Sequence, residues 1–219
     1  SKMLQSFRPN SVVNAWPIMI QKFPESRFSS YDLIIVATDN ANSRLYCNDM
    51  SLRHRVPSIQ VGATLENGQE AVSCRLVVTG FTPCYECHNE FTREQLSYDY
   101  MTREMMEDNK RHGYGVPEPV PSVVDLNSLA AGLAGDMAFK FLTKTCKLPP
   151  YWHLDLKNGS FRMFSQIRNP KCNACAEIPD FDVEWLAPTV EAKMTSFDAP
   201  SNQSNEISDR VETQSRRAN

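Results

Sequence analysis

The stretch Asp32-Leu33-Ile34-Ile35-Val36-Ala37-Thr38-Asp39-Asn40 reads as a buried strand that stops abruptly in polar residues. A strand with one wet face alternates apolar and polar side chains, whereas Leu33 to Ala37 is apolar throughout. Such a run suits a strand covered on both faces, as in a parallel sheet, and implies an α/β fold. Helical spacing resumes from Ser43 to about Arg55, which leaves Asp39 at the carboxyl end of the strand and at the start of the next helix.

On the carboxyl side, Pro57 to Leu65 and Glu70 to Thr79 read as two strands joined by the Asn67-Gly68 hairpin turn. Trp152 to Leu156 and Ser160 to Ile167 form a second hairpin around Asn158-Gly159. Val123, Leu126, Leu129, Ala130, Leu133, Met137 and Phe141 recur at helical spacing, which predicts a helix over Ser122 to Lys144. Its small residues Ala130, Ala131, Gly132, Ala134 and Gly135 suit close packing on a sheet. On the amino side, Lys2 to Phe7 reads as the end of a helix stopped by Pro9, and Val12 to Ile20 as a strand. Thr92 to Arg111 reads as one exposed helix and Gly113 to Pro121 as a loop.

With 219 residues, 41% of them hydrophobic, the chain can bury one sizeable core. We expect a domain over 1–178 and a polar tail over 179–219, disordered from about Ala199, where Ser, Asn, Gln, Asp and Glu take over. A net charge of -3, with basic and acidic residues interleaved, offers no field for nucleic acid. No apolar run approaches the about 18 residues of a membrane span, and SKMLQSFRPN lacks a secretory apolar stretch, so a cytoplasmic protein is expected.

Seven cysteines, an odd number, suit reduced thiols better than a disulfide framework. Two pairs stand out: Cys84-Tyr85-Glu86-Cys87 and Cys172-Asn173-Ala174-Cys175, each close behind a proline. A C-x-x-C turn lets two sulfurs face one ion, and four thiolates close the coordination sphere of zinc. No position is then left for water, so this zinc would hold structure and perform no catalysis. The competing reading is two unrelated pairs, buried or redox-active.

Asp39 at the tip of an α/β strand can reach a magnesium ion on a nucleotide, because ligands in such sheets bind outside the carboxyl strand ends. It can equally cap the following helix. Asn40, Arg44 and Asn48 follow at intervals of four and share a helix face, where an arginine can meet a phosphate or simply face solvent. Cys47 and Cys74 lie in apolar patterns as small buried hydrophobes. Cys146, between Lys144 and Lys147, is a minor candidate nucleophile. His54, His88, His112 and His153 share no metal-ligand spacing, and Met101, Met105 and Met106 suit either a core-covering helix or a partner groove.

The ordered series TDNANSRLYCN, VPSIQVGATLENGQ, TPCYEC, PSVVDLNSLAAGLAGDMAFKFLT and PKCNAC resembles the ThiF, MoeB and HesA family of ubiquitin-activating-like adenylyltransferases, from about Arg8 to Cys175. GYGVPEPVPSVVDLN resembles the bacterial ThiF-type proteins found beside ubiquitin-like or E2-like partners. The resemblance implies a Rossmann-like ThiF-type domain with zinc-stapled β hairpins. It also implies that Asp39 helps bind Mg-ATP, with Asn40, Arg44 and Asn48 near the nucleotide, and that Cys84, Cys87, Cys172 and Cys175 bind structural zinc. The implied reaction is adenylation of the C-terminal carboxylate of a ubiquitin-like or sulfur-carrier protein, with release of pyrophosphate, by a homodimer or by a complex with a nucleotide-binding half. The family's glycine-rich phosphate loop, ribose-binding acid and phosphate-touching Arg and Lys have no counterpart in these residues. The chain is therefore expected to lack the N-terminal nucleotide-binding half and to be inactive alone, as a fragment, a split subunit or a degenerate relative. Residues 88–145 contain no cysteine, so no thioester step is expected.

Overall fold

The computed structural model describes residues 9–66, 69–88, 96–97, 99, 101, 103–112, 124–180 and 186. Five strands form one mixed sheet in the order β1-β2-β3-β4-β5: Ile34–Val36, Ser58–Glu66, Gln69–Val77, Tyr151–Asp155 and Ser160–Phe164. β1 runs parallel to β2, with Ile35 opposite Ile59, and the other three pairings are antiparallel. Among the described residues, the helices whose bounds are defined are α1 (Ala41–His54), α2 (Arg103–Arg111) and α3 (Val124–Thr143). The result is the expected mixed α/β architecture, with only its first pairing parallel.

Both hairpins form where expected. Glu66 pairs with Gln69 across the first turn, whose own two residues lie outside those described. In the second, Asp155 accepts from the backbone N–H of Asn158 at 3.0 Å, and Gly159 takes a φ of +61, a left-handed conformation that glycine adopts without a Cβ penalty.

The core lies between one face of β2–β4 and α3. Ile59, Val61, Val72, Cys74, Leu76 and Trp152 meet Leu126, Ala130, Ala134, Met137 and Phe141. Ala130 and Ala134 provide the close approach to the sheet, whereas Ala131, Gly132 and Gly135 point away from it. Leu186, inside the segment assigned above to the polar tail, is 2% exposed in this core and bridges to Leu148.

Three expectations are corrected. Val12 to Ile20 forms no strand: Pro17 lacks an N–H, and Val12, Trp16, Ile18 and Met19 are exposed, with no described strand to pair with. The segment instead folds through two 3-10 turns, Ile20–Lys22 and Glu25–Ser30, which pack Phe23 edge-on against Trp16 and Phe28. β1 is not covered on both faces, because it is the edge strand among the described residues and Ile35 is 51% exposed. Thr92 to Arg111 is not one helix, since Met101 lies outside any helix and α2 begins at Arg103. Lys2 to Phe7, Gly113 to Pro121 and the segment from Ala199 lie outside the described residues, and among those described no helix is long and apolar enough to cross a membrane.

Candidate functional site

The first knuckle follows β3 through a turn in which Thr82 Oγ1 accepts from Val78 N–H at 2.7 Å and Gly80 takes a φ of +80. The second follows β5. The sheet pairs β3 with β4 and β4 with β5, so it carries two segments distant in sequence to the same edge. Cys84 Sγ lies 3.5 Å from Cys172 Sγ, Cys87 Sγ 3.4 Å from Cys175 Sγ, and Cys84 Sγ 3.8 Å from Cys87 Sγ. All four sulfurs lie within 4.8 Å of one another and all four residues are buried.

These separations discriminate between chemistries. A disulfide needs about 2.05 Å between sulfurs, and all seven cysteines are free. A tetrahedron with metal–sulfur bonds of about 2.3 Å has sulfur–sulfur edges of about 3.8 Å. The cluster therefore has the dimensions of a single-ion site with four sulfur ligands.

Burial also states what the cluster needs. Burial, followed by the neighbouring Cys87 and Cys175, pushes the Cys84 thiol far above its ordinary range. Four thiolates this close cannot persist without a cation among them. Leu52, Val77, Ala174 and Ile178 pack around the sulfurs and exclude water.

Side chains from outside the knuckles hold them in place. Asn48, fully buried in α1, accepts from the backbone N–H of Tyr85 at 2.9 Å and donates to Glu86 at 3.4 Å. Asn169 donates to the carbonyl of Cys87 at 3.2 Å and so ties the second knuckle to the first. Arg168 donates to the carbonyls of Cys175 and Ile178 and pairs with Asp180. Neither Arg168 nor Asn169 was identified from the sequence; their only signal there is their place just before Pro170 and Cys172. His88 is exposed and stands outside the cluster.

The residues of the strand tip divide between two roles. Asp39 is exposed just beyond β1, and the helix cap is its neighbour: Asn40 Oδ1 accepts from Ser43 N–H at 2.7 Å. The Asp99 carboxylate accepts from Asn42 N–H at 3.0 Å, so a second acid sits at the same helix start. Arg44 turns inward and donates to the carbonyl of Val61 at 2.8 Å, lying against Gly62, where an added Cβ would sit 3.5 Å from its guanidinium. Asn48 lies about 12 Å further along the helix than Asn40 at 1.5 Å per residue, and its amide serves the knuckle. The structure thus gathers Asp39 and Asn40 at one end of α1, and Asn48 with the cysteines farther along it.

On the sheet face opposite α3, sequence reading missed a polar pair. Gln60 and Arg75 are cross-strand partners, 3% and 4% exposed, and Arg75 stacks over Tyr151 at 5.0 Å. Their only sequence signal is polarity inside otherwise apolar strands. Cys47 and Cys74 are buried, as expected, while Cys146 is exposed.

No curated protein sequence matches the chain. Among solved structures, E. coli MccB with ATP is similar at a TM-score of 0.55 and 20% identity, over 80% of this chain and 48% of that one. The microcin C7 biosynthetic enzyme MccB in complex with N-formylated MccA is similar at a TM-score of 0.57 and 19% identity, over 80% of this chain and 50% of that one. This chain thus spans about half the length of the MccB chains it matches, and at these identities the likeness speaks to the fold alone. The model of the family described as ThiF matches residues 1–174 of the 219, well over half of the chain, and an agreement of that extent makes the chain a member of the ThiF family.

Proposed function

We propose that this chain is part of an ATP-dependent adenylyltransferase that activates the C-terminal carboxylate of a ubiquitin-like or sulfur-carrier protein. The observation that carries the reading is the ThiF match over residues 1–174, and Asp39, exposed beyond the carboxyl end of β1, stands where such sheets bind ligands. Bound Mg-ATP would supply the adenylyl group and the charge neutralisation its transfer needs. Asp39 is the proposed metal-facing carboxylate, and Asn40 shapes the helix start beside it. Arg44 and Asn48 complete the proposed nucleotide-side set, Arg44 from its place against Gly62 and Asn48 by holding α1 to the knuckle.

Cys84, Cys87, Cys172 and Cys175 would hold one structural zinc, which the sulfur separations and the all-thiol donor set fit. In such a site the metal's binding energy is part of the folding energy. The proposed assembly is a homodimer or a complex with a nucleotide-binding half. The outward side of α3 supports an interface, since Val124, Phe139 and Leu142 are 77%, 61% and 54% exposed there.

A second reading is a non-catalytic, zinc-stabilised module that docks a ubiquitin-like partner. It is favoured by the commitment of the Arg44 and Asn48 side chains to contacts inside the protein. ATP–pyrophosphate exchange separates the two. The chain is assayed with a candidate carrier protein, alone and with a nucleotide-binding half supplied as a second chain. Carrier-dependent exchange in either format supports the enzyme. Binding of the carrier without exchange in both formats supports the module.

A further inference from the structure

We propose that Arg168 is a positioning residue for the metal centre, holding the second knuckle in the shape that accepts the ion and placing a fixed positive charge beside the sulfurs. The proposal rests on the metal reading above and adds to it a residue outside the cysteine pairs.

The contacts form a compact clamp. The side chain of Arg168 is only 13% exposed and lies four residues before Cys172. One terminal nitrogen, Nη2, donates to the carbonyl of Cys175 and, at 3.0 Å, to that of Ile178. The other, Nη1, pairs with the Asp180 carboxylate. The backbone N–H of Ile178 itself reaches the Cys175 carbonyl at 3.1 Å, so the guanidinium grips both ends of the turn that leaves the last ligand. Asn169, the next residue, reaches Cys87 on the other knuckle. Arg168 thus fixes the second knuckle while its neighbour ties that knuckle to the first.

Charge gives the clamp a second use. One divalent cation with four thiolates carries a net charge of about −2 (4 × −1, plus 2) in a site whose four cysteines are all buried. Buried charge without compensation is costly. The Asp180 carboxylate paired with Arg168 is 88% exposed, so water screens it far more than it screens the largely enclosed guanidinium. The guanidinium interacts electrostatically with Cys175 and so offsets part of the site's negative charge. A lysine would keep the charge but not the planar fork that spans two carbonyls and a carboxylate.

The test uses the full chain and four proteins: wild type, Arg168→Gln, Arg168→Lys and Arg53→Gln. The last removes the same charge from an exposed position on α1. Zinc dissociation constants are measured by chelator competition, and the absorption bands of the cobalt-loaded proteins are recorded. Arg168→Gln is expected to weaken zinc by on the order of 10–100-fold and to shift the cobalt bands. Arg168→Lys should recover part of the affinity, and Arg53→Gln should match wild type. Unaltered affinity and cobalt bands in Arg168→Gln, even with reduced thermal stability, would overturn the proposal while leaving the metal reading intact. If Arg168→Gln does not fold, the same criterion is applied to Arg168→Lys. A wild-type chain that holds no metal would overturn both readings together.

Discussion

Asn48→Ala is the perturbation that tests whether one buried amide holds the helix following β1 to the first knuckle. Asn48 is 0% exposed, and its amide is spent on the first knuckle: Oδ1 accepts from Tyr85 N–H at 2.9 Å and Nδ2 donates to Glu86 at 3.4 Å. Truncation takes the acceptor from a part-buried N–H, which costs about 1–3 kcal/mol. It also empties the space of a buried side chain, and the two effects together come to about 2–4 kcal/mol. The longer Nδ2 contact adds little. In a chain of this size, a loss of that order lowers Tm by about 4–16 °C. The assay is urea denaturation of the zinc-loaded chain with and without the substitution, followed by fluorescence and circular dichroism. An unchanged m-value with a lower midpoint is expected. A change below about 0.5 kcal/mol, the range of an ordinary surface substitution, would refute the reasoning that Asn48 holds the knuckle.

Cys84→Ser and Cys172→Ser should each abolish stoichiometric zinc, measured by elemental analysis, and lower Tm sharply, because either leaves an incomplete set of thiolates in a buried site. Asp39→Ala should leave Tm within a few degrees of wild type, since Asp39 is exposed and Asn40 caps the helix, yet remove ATP–pyrophosphate exchange in whichever format shows it. Stability should also fall at high pH. Burial pushes Cys47 up to about 11 and Cys74 up to about 12, whereas an unfolded cysteine titrates near about 8.5. Unfolding therefore releases two protons between about pH 9 and 11, so stability is level below that window and falls within it by up to about 2.7 kcal/mol per pH unit. Denaturation midpoints measured from pH 7 to 11 check the sign, and a curve that rises through the window would contradict it.

Much of the architecture can be read locally because its causes are local. Asn67-Gly68 and Asn158-Gly159 mark hairpins through the backbone conformations those residues tolerate, and Ser122 to Lys144 declares a helix through a spacing that holds along its whole length. The C-x-x-C pairs are legible for the same reason, since three-residue spacing is itself the geometry that lets two sulfurs share an ion. Val12 to Ile20 shows where this reading stops. Its apolar content suits a strand, but a strand exists only beside a partner, and none of the described residues offers one. Ile35 makes the same point, because its place in an apolar run carries no information about whether anything covers that face.

The amino-acid sequence by itself determined the α/β class, the two hairpins, the long helix and the identity of the four sulfur residues. Each of these depends on interactions within a turn or two of chain. Only the tertiary structure decided that the sulfurs meet within 4.8 Å, that Asn48 serves the knuckle, that Arg44 lies against Gly62, and that Arg168 clamps the second knuckle. Those outcomes follow from which strands pair and in what register, and so from contacts between segments far apart in the chain, which local pattern does not encode.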